Sequence, residues 1–150
     1  MDAISDYLQQ IKLERKERGL KIPKPLDEEK TDVFKSSFNQ YFSEDSDSAF
    51  INFLKLSNGL EENGHVIYAS ENEEEEFGIG MLENNVIWHD FEGYQKYIVY
   101  AESESLLFAY DKEGEKYLAV SQMGGRFSKS FSSCEEMLVY VMKLMLDEEE

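Results

Sequence analysis

The chain has 150 residues and a formal net charge of −17, and 41% of its residues are hydrophobic. Ten Phe and nine Tyr supply enough apolar surface for one folded core, which argues against wholesale disorder. Residues 1–24 carry six Lys or Arg against four acids, so residues 25–150 carry −19. Such a field repels phosphate backbones and anionic lipid surfaces, so nucleic acid and membranes are not expected as direct partners. A basic protein partner is the natural complement.

The chain shows no signal for a membrane or an oxidising compartment. No run approaches the roughly 18 consecutive apolar residues of a membrane span, and the start at Met1 lacks a basic segment leading into an apolar run. Cys134 is the only cysteine, so one chain cannot form an internal disulfide or a cysteine-based zinc site. The sequence therefore predicts a cytoplasmic protein.

The first third of the chain has the spacing of helices. Apolar residues three and four apart predict a first helix, followed by a connector over 19–26 that holds Pro23 and Pro25. A second helix follows Asp27 and ends near Phe42. A third helix stops at Asn58-Gly59 and carries one predicted buried face, formed by Phe50, Phe53 and Leu54.

The rest of the chain changes to the composition of strands. Short β-branched or aromatic runs predict strands at 66–69, 77–81, 97–101, 106–110, 117–120 and about 126–131. The five residues 111–115 connect two of them as a hairpin. Residues 84–91 are ambiguous and fit a helical turn, whereas Ser133 and Glu136 form a capping-box pattern before a last helix. Residues 147–150 read as a frayed acidic tail.

This order of elements predicts the fold class. Helices, then strands, then a helix indicate a single α+β domain over 1–150. We expect a mainly antiparallel sheet of about five or six strands with helices packed on one face, because the apolar face of a sheet needs cover.

Catalytic and metal-binding patterns are weak. Cys134 with His65 or His89 would be a conceivable thiol and base, but the first turn of an apolar helix is a common place for a structural cysteine. Neither histidine lies at a short metal-binding spacing. We therefore predict no catalytic residue, metal or cofactor, and we keep a small hydrolase using scattered acids and one histidine as an alternative.

Two features are candidates for binding a partner. The acidic run over residues 71–76 lacks the ligand spacing of an EF-hand, so it is either a solvated loop or part of a partner-binding face. Trp88 is either a core residue or an interface anchor, and it lies two residues before Asp90. The predicted partner-binding residues are Glu73, Glu74, Glu75, Glu76, Trp88 and Asp90.

Two sets of segments together resemble one known protein family. Residues 50–59 read Phe-Ile-Asn-Phe-Leu-Lys-Leu-Ser-Asn-Gly and precede a strand led by Gly64. Further runs lie at 97–101, 107–111, 116–120 and 130–133 before the last helix. The first set is similar to the helix-Asn-Gly-strand signature of the SUKH superfamily, the Smi/Knr-like group of immunity and regulatory proteins, and the second is similar to its strand-strand-strand-helix close. Residues 46–146 hold the best-matching core, and residues 1–25 precede it as a helix and connector.

The resemblance implies a binding protein. Bacterial members are commonly immunity proteins that neutralise polymorphic toxins, often nucleases, and fungal members are regulatory scaffolds. The expected function is thus neutralisation of a cognate, basic toxin domain by protein binding. The alternative is a regulatory interaction module for an endogenous partner. The oligomeric state is left open.

Overall fold

A computed structural model describes residues 3–72 and 79–146 of the chain. The described residues form helices α1 (Ala3–Glu17), α2 (Glu28–Phe42), α3 (Ser48–Leu56), α4 (Met81–His89) and α5 (Cys134–Met145), and strands β1 (Leu60–Glu62), β2 (His65–Ile67), β3 (Tyr97–Glu102), β4 (Leu106–Asp111), β5 (Lys116–Ser121) and β6 (Phe127–Phe131). The strands form one antiparallel sheet in the order β1-β2-β3-β4-β5-β6. The predicted α+β class is confirmed. No helix of this described part is long and apolar enough to cross a bilayer.

Side-chain caps start the helices where the sequence predicts them. Asp27 accepts a hydrogen bond from the Lys30 amide at the start of α2. Ser133 does the same for the Glu136 amide at the start of α5, at 3.1 Å. The capping box is only half formed, because the Glu136 carboxylate accepts from the hydroxyl of Ser132. Each cap satisfies an amide that has no partner within its helix.

The predicted buried face of α3 is confirmed. Phe50, Phe53 and Leu54 are fully buried. The Phe50 ring meets Tyr100 of β3 edge-on, with centroids 4.9 Å apart. The sheet face that α5 covers includes Phe108 and Phe131, whose rings both contact Tyr140.

The predicted strand over 77–81 is wrong where the structure describes it. Phe77 and Gly78 lie outside the described residues, Gly80 forms one isolated parallel bridge with Ala69, and Met81 already begins α4. The reason is a pair of local hydrogen bonds. The Asn72 side chain accepts from the Gly80 backbone amide, and the Met81 backbone amide donates to the Ala69 carbonyl. These bonds turn the chain out of the strand direction into a helix. The ambiguous residues 84–91 are therefore mostly helical.

A buried ion pair joins α1 to the edge strand β1, which the sequence patterns did not predict. Arg15 is 5% exposed and Glu62 is 3% exposed. Arg15 binds the Glu62 carboxylate at 3.3 Å and also donates to the carbonyl of Lys21, at 2.7 Å. Arg18 contacts the second carboxylate oxygen of Glu62. The connector after α1 is thereby held against the sheet edge.

Candidate functional site

The helix α4 turns a polar residue inward. Asn85 is fully buried, and its amide donates to the carbonyls of Met81 and Val99, at 2.8 and 2.9 Å. Its side-chain oxygen accepts from the amide of Val99, at 2.8 Å. β2 ends at Ile67, opposite Ala101, and the backbone amide of the next residue, Tyr68, still donates to the Tyr100 carbonyl of β3, at 3.0 Å. Beyond Tyr68, the Asn85 side chain takes the place of a neighbouring strand along β3. Buried backbone groups need such partners, and Asn85 supplies them.

The same helix turns apolar residues outward. Val86, Ile87 and the following Phe91 are 50%, 56% and 53% exposed. Glu83 and Asp90 are exposed on the same stripe, since residues three and four apart share one side of a helix. We call this surface the α4 ridge and define it by Glu83, Val86, Ile87, Asp90 and Phe91. A single exposed apolar residue is ordinary, whereas several exposed apolar residues on one side of a helix make a candidate interaction surface.

Trp88 supports the α4 ridge from behind. It is half-buried, and its indole N–H donates to the Tyr68 hydroxyl at 3.0 Å, which in turn donates to the Glu102 carboxylate at 2.5 Å. Burial, and next the neighbouring Glu102 charge, raise the pKa of Tyr68, so this hydroxyl stays a donor. The indole ring also lies near the rings of Phe91 and Tyr94, at 6.0 and 6.3 Å. Trp88 is thus partly a core residue, with its polar edge inside and part of its ring at the surface, and its role as an interface anchor stays a prediction.

An aromatic groove of about 500 Å³ adjoins the carboxyl end of α4. Tyr94 forms one wall of this groove. Its ring is held in place because its hydroxyl donates to the carbonyls of Ser121 and Gln122, at 3.1 and 2.8 Å. Met123, on the turn between β5 and β6, is 87% exposed beside it. The groove is lined by Phe91, Glu92, Tyr94, Lys96, Tyr97 and Met123, together with residues of the 122–125 turn.

A second groove, of about 300 Å³, lies at the opposite end of α4, between this helix and α2. We call it the acidic groove and define it by an apolar floor of Val33, Phe34 and Leu82 and a rim of Glu29, Glu71 and Glu83. Lys30, Ser37 and Ser70 complete its lining. The α4 ridge therefore runs from one groove to the other, a length of about 13 Å for a nine-residue helix.

Of the predicted binding residues, the structure describes Trp88 and Asp90, which lie at the carboxyl end of α4. Asp90 is exposed at the carboxyl end, two residues from Trp88. Glu73, Glu74, Glu75 and Glu76 lie outside the described residues. The residue before that run, Asn72, is fixed to the amino end of α4. Its backbone amide donates to the Glu83 carboxylate at 3.1 Å, and its side-chain oxygen accepts from the Gly80 backbone amide. Glu71, which precedes Asn72, lines the acidic groove.

Sequence patterns missed Val86, Ile87 and Phe91. Apolar residues occur around most of α4, at 81, 82, 86, 87 and 88, so spacing alone does not choose an inward side. The usable signal is Asn85, four residues after Met81, which could mark a polar inward stripe. That signal becomes readable only when the backbone of Val99 is known to need partners.

Cys134 and His89, two residues of the enzyme alternative, each have a defined environment. Cys134 is buried, and burial, followed by the charge of Asp47, raises the pKa of its thiol well above the ordinary value. The ring of His89 lies 2.9 Å from the Tyr41 hydroxyl and 2.7 Å from the Tyr97 carbonyl, one contact at each nitrogen. Because a carbonyl only accepts, the Tyr97 side carries the ring N–H and Tyr41 donates to the other nitrogen. Within residues 3–72 and 79–146, no three His, Cys, Asp or Glu side chains form a group that could hold a metal ion.

No family model, curated protein or solved structure matches this chain. The SUKH resemblance and the immunity function that it implies therefore stay predictions.

Proposed function

We propose that this chain is a protein-binding domain that uses the α4 ridge to bind a basic protein partner. The observation that carries the proposal is the inverted burial of α4, with Asn85 inside and Val86 and Ile87 outside. An apolar stripe facing water costs solvation free energy unless another surface covers it. Cover by a partner gives this arrangement a function.

The chemistry of the partner follows from the residues around that stripe. Glu83 and Asp90 flank Val86 and Ile87, and the whole chain carries −17. Buried apolar anchors at the centre of an interface supply most of the affinity, whereas rim charges mainly set encounter rate and orientation. The complementary surface has apolar side chains at its centre and Lys or Arg at its edge.

We further propose that the partner is a toxin domain that this chain neutralises. The support is the resemblance of residues 46–146 to the SUKH superfamily, together with the acidic charge. A nuclease toxin must carry Lys and Arg in the groove that holds phosphates, so its active face would complement this chain. The alternative is a regulatory module whose endogenous partner has the same basic character.

Site-specific crosslinking tests the surface. A photoreactive phenylalanine analogue replaces Ile87 in one variant and Phe127 in another, since Phe127 is a comparably exposed apolar residue on β6, at 58%. We expect the first variant, in cells that express the chain, to crosslink a basic protein that the second does not. With that protein purified, V86S/I87S should weaken binding at least about tenfold and leave the unfolding free energy within about 0.5 kcal/mol. Equal crosslinking from both positions, or unchanged affinity, would show that the α4 ridge is not the interface.

A second experiment tests the electrostatic part. The variant E73Q/E74Q/E75Q/E76Q should associate with the partner more slowly in stopped-flow measurements and show a flatter dependence on salt. Complementary charge raises association rates by about 10- to 1,000-fold at low salt, and screening removes that gain. Dissociation should change much less, since apolar anchors govern it. Association that is insensitive to salt and to the four substitutions would contradict steering.

The toxin proposal has its own test. The protein encoded beside this chain's gene is expressed with and without this chain, and growth is measured. Growth arrest that this chain relieves, and that V86S/I87S does not, supports neutralisation through the α4 ridge. A neighbour without toxicity would favour the regulatory alternative.

A further inference from the structure

We propose that the acidic groove binds one arginine side chain of the partner protein. This inference rests on the proposed function and adds to it the residue type that the partner must present. The groove shares Glu83 with the α4 ridge, so a protein lying on Val86 and Ile87 also reaches the groove.

The walls of the groove suit the two halves of an arginine. The floor offers Val33, which is 62% exposed, and Leu82, which is half-buried, as surfaces for the aliphatic stem. Phe34 is fixed beneath them, because its ring packs on Phe38 and Phe50 at 6.0 and 6.1 Å. Long cationic side chains lie with their stems on such apolar surfaces and keep the charged head at a polar rim.

The rim brings carboxylates from three separate elements. Glu29 lies in the first turn of α2, Glu83 in the first turn of α4, and Glu71 in the segment after β2. The backbone amide of Asn72 donates to one oxygen of Glu83 at 3.1 Å, which fixes the orientation of that carboxylate. A planar guanidinium has five donors and can bridge several carboxylates, whereas an ammonium acts as a point charge. The arrangement therefore favours arginine over lysine.

The three rim carboxylates are not neutralised within the described chain. No ion pair of the described residues includes Glu29, Glu71 or Glu83, whereas the adjacent Glu28 pairs with Lys55 at 3.7 Å. With Lys30 counted, the lining carries a formal charge of −2. The amino ends of α2 and α4 oppose a cation, but each contributes only about half a positive charge. The balance remains negative, so a cation is attracted.

The size of the groove suits a single side chain. Its volume of about 300 Å³ is at the lower limit for small-molecule pockets, which run from about 300 to 1,000 Å³. The floor and rim are also open to the surface that a docked protein would cover. An arginine projecting from a partner fits both conditions.

Peptide titration tests the proposal without the partner. The probes are acetyl-Gly-Arg-Gly-amide, the same peptide with lysine, and the same peptide with citrulline, which is a neutral isostere of arginine. We expect the arginine peptide to cause saturable methyl shifts of Val33 and Leu82 in NMR spectra, the lysine peptide to bind more weakly, and citrulline to reduce affinity about tenfold or more. Equal binding of arginine and citrulline peptides, or no methyl shifts with any peptide, would overturn the proposal.

A matched pair of variants separates the groove from the general charge of the protein. E29Q/E71Q should abolish saturable binding of the arginine peptide. E113Q/E115Q removes the same charge at the hairpin between β4 and β5, where Lys112 reaches the carbonyl of Phe42 at the far end of α2, and should retain binding. The 15 residues of α2 separate these two places by about 22 Å. Equal weakening by both variants would show a diffuse field and not a site.

The same variants distinguish this inference from the proposed function. Once the partner is purified, its affinity for E29Q/E71Q and for V86S/I87S is measured. Loss in V86S/I87S with full affinity in E29Q/E71Q would retain the α4 ridge and reject the arginine groove. Loss only in E29Q/E71Q would retain the groove and reject the α4 ridge as the main interface.

Discussion

The helices α3 and α4 are both nine residues long, but they bury opposite chemistry. α3 buries Phe50, Ile51, Phe53 and Leu54, as expected of a helix that packs on a sheet. α4 buries Met81 and the amide of Asn85, and it exposes Val86 and Ile87. α3 stabilises the core by burying apolar surface. The second is fixed by hydrogen bonds to a strand and presents its apolar residues to the surroundings.

This difference teaches that helix orientation can be decided by backbone groups elsewhere in the fold. Turning Val86 and Ile87 inward would bury more apolar area, but it would leave the Val99 amide and carbonyl without the partners that Asn85 provides. Each buried group left unpaired costs about 1–3 kcal/mol. That cost is comparable to the gain of about 1.5–3 kcal/mol from burying one aliphatic side chain. The observed orientation also leaves Val86 and Ile87 exposed, where we propose that a partner binds.

The largest effect is expected in α3. Phe53→Ala should lower the unfolding free energy by about 3–5 kcal/mol, because it removes a fully buried ring and leaves a cavity. Urea denaturation monitored by circular dichroism measures this loss. A loss below about 0.5 kcal/mol would mean that α3 does not form part of the core.

A matched isoleucine pair compares the two helices directly. Ile51 of α3 is 6% exposed and Ile87 of α4 is 56% exposed. Ile51→Ala should cost about 2–5 kcal/mol, whereas Ile87→Ala should stay within about 0.5 kcal/mol. The same denaturation assay measures both. Similar losses at the two positions would contradict the inverted burial of α4.

The amide that fixes α4 has a neighbouring control. Asn85→Ala should cost about 1–3 kcal/mol for each group of Val99 left without a partner, and it should speed hydrogen exchange at the Val99 amide. Asn84 is half-buried and donates only to the Gly80 carbonyl, at 2.7 Å. Asn84→Ala should therefore cost less and leave exchange at Val99 unchanged. If the two variants behaved alike, Asn85 would not be what orients the helix.

The smallest effect on binding is expected at Cys134, which lies in the core far from the outward stripe of α4. Because its thiol pKa is raised, the thiolate fraction at neutral pH lies below that of an ordinary cysteine. Alkylation by iodoacetamide should be slow in the native protein and fast in denaturant, as mass spectrometry can show. Cys134→Ser should retain partner binding. A folded Cys134→Ser variant that lost all function would revive the enzyme alternative.

The sequence by itself determined the features that depend on neighbours along the chain. The caps Asp27 and Ser133 start their helices where the local pattern places them, and the spacing of Phe50, Phe53 and Leu54 defines the buried face of α3. Strands β2 to β6 and the hairpin between β4 and β5 also follow from local composition, which is why the α+β class was predictable, whereas β1 was missed and the run at 77–81 was wrong. Local hydrogen bonds and side-chain periodicity fix all of these.

Only the tertiary structure decided which side of α4 faces outward and what flanks it. Trp88 and Asp90 were predicted from the sequence, but Asn85 meets Val99 only because the chain after β2 stops pairing with β3 beyond Tyr68. The acidic groove likewise combines residues from α2, from the segment after β2 and from α4. These contacts join positions far apart in the chain. Their free energies depend on which backbone groups already have hydrogen-bond partners, and which apolar surfaces are already buried, in the rest of the fold.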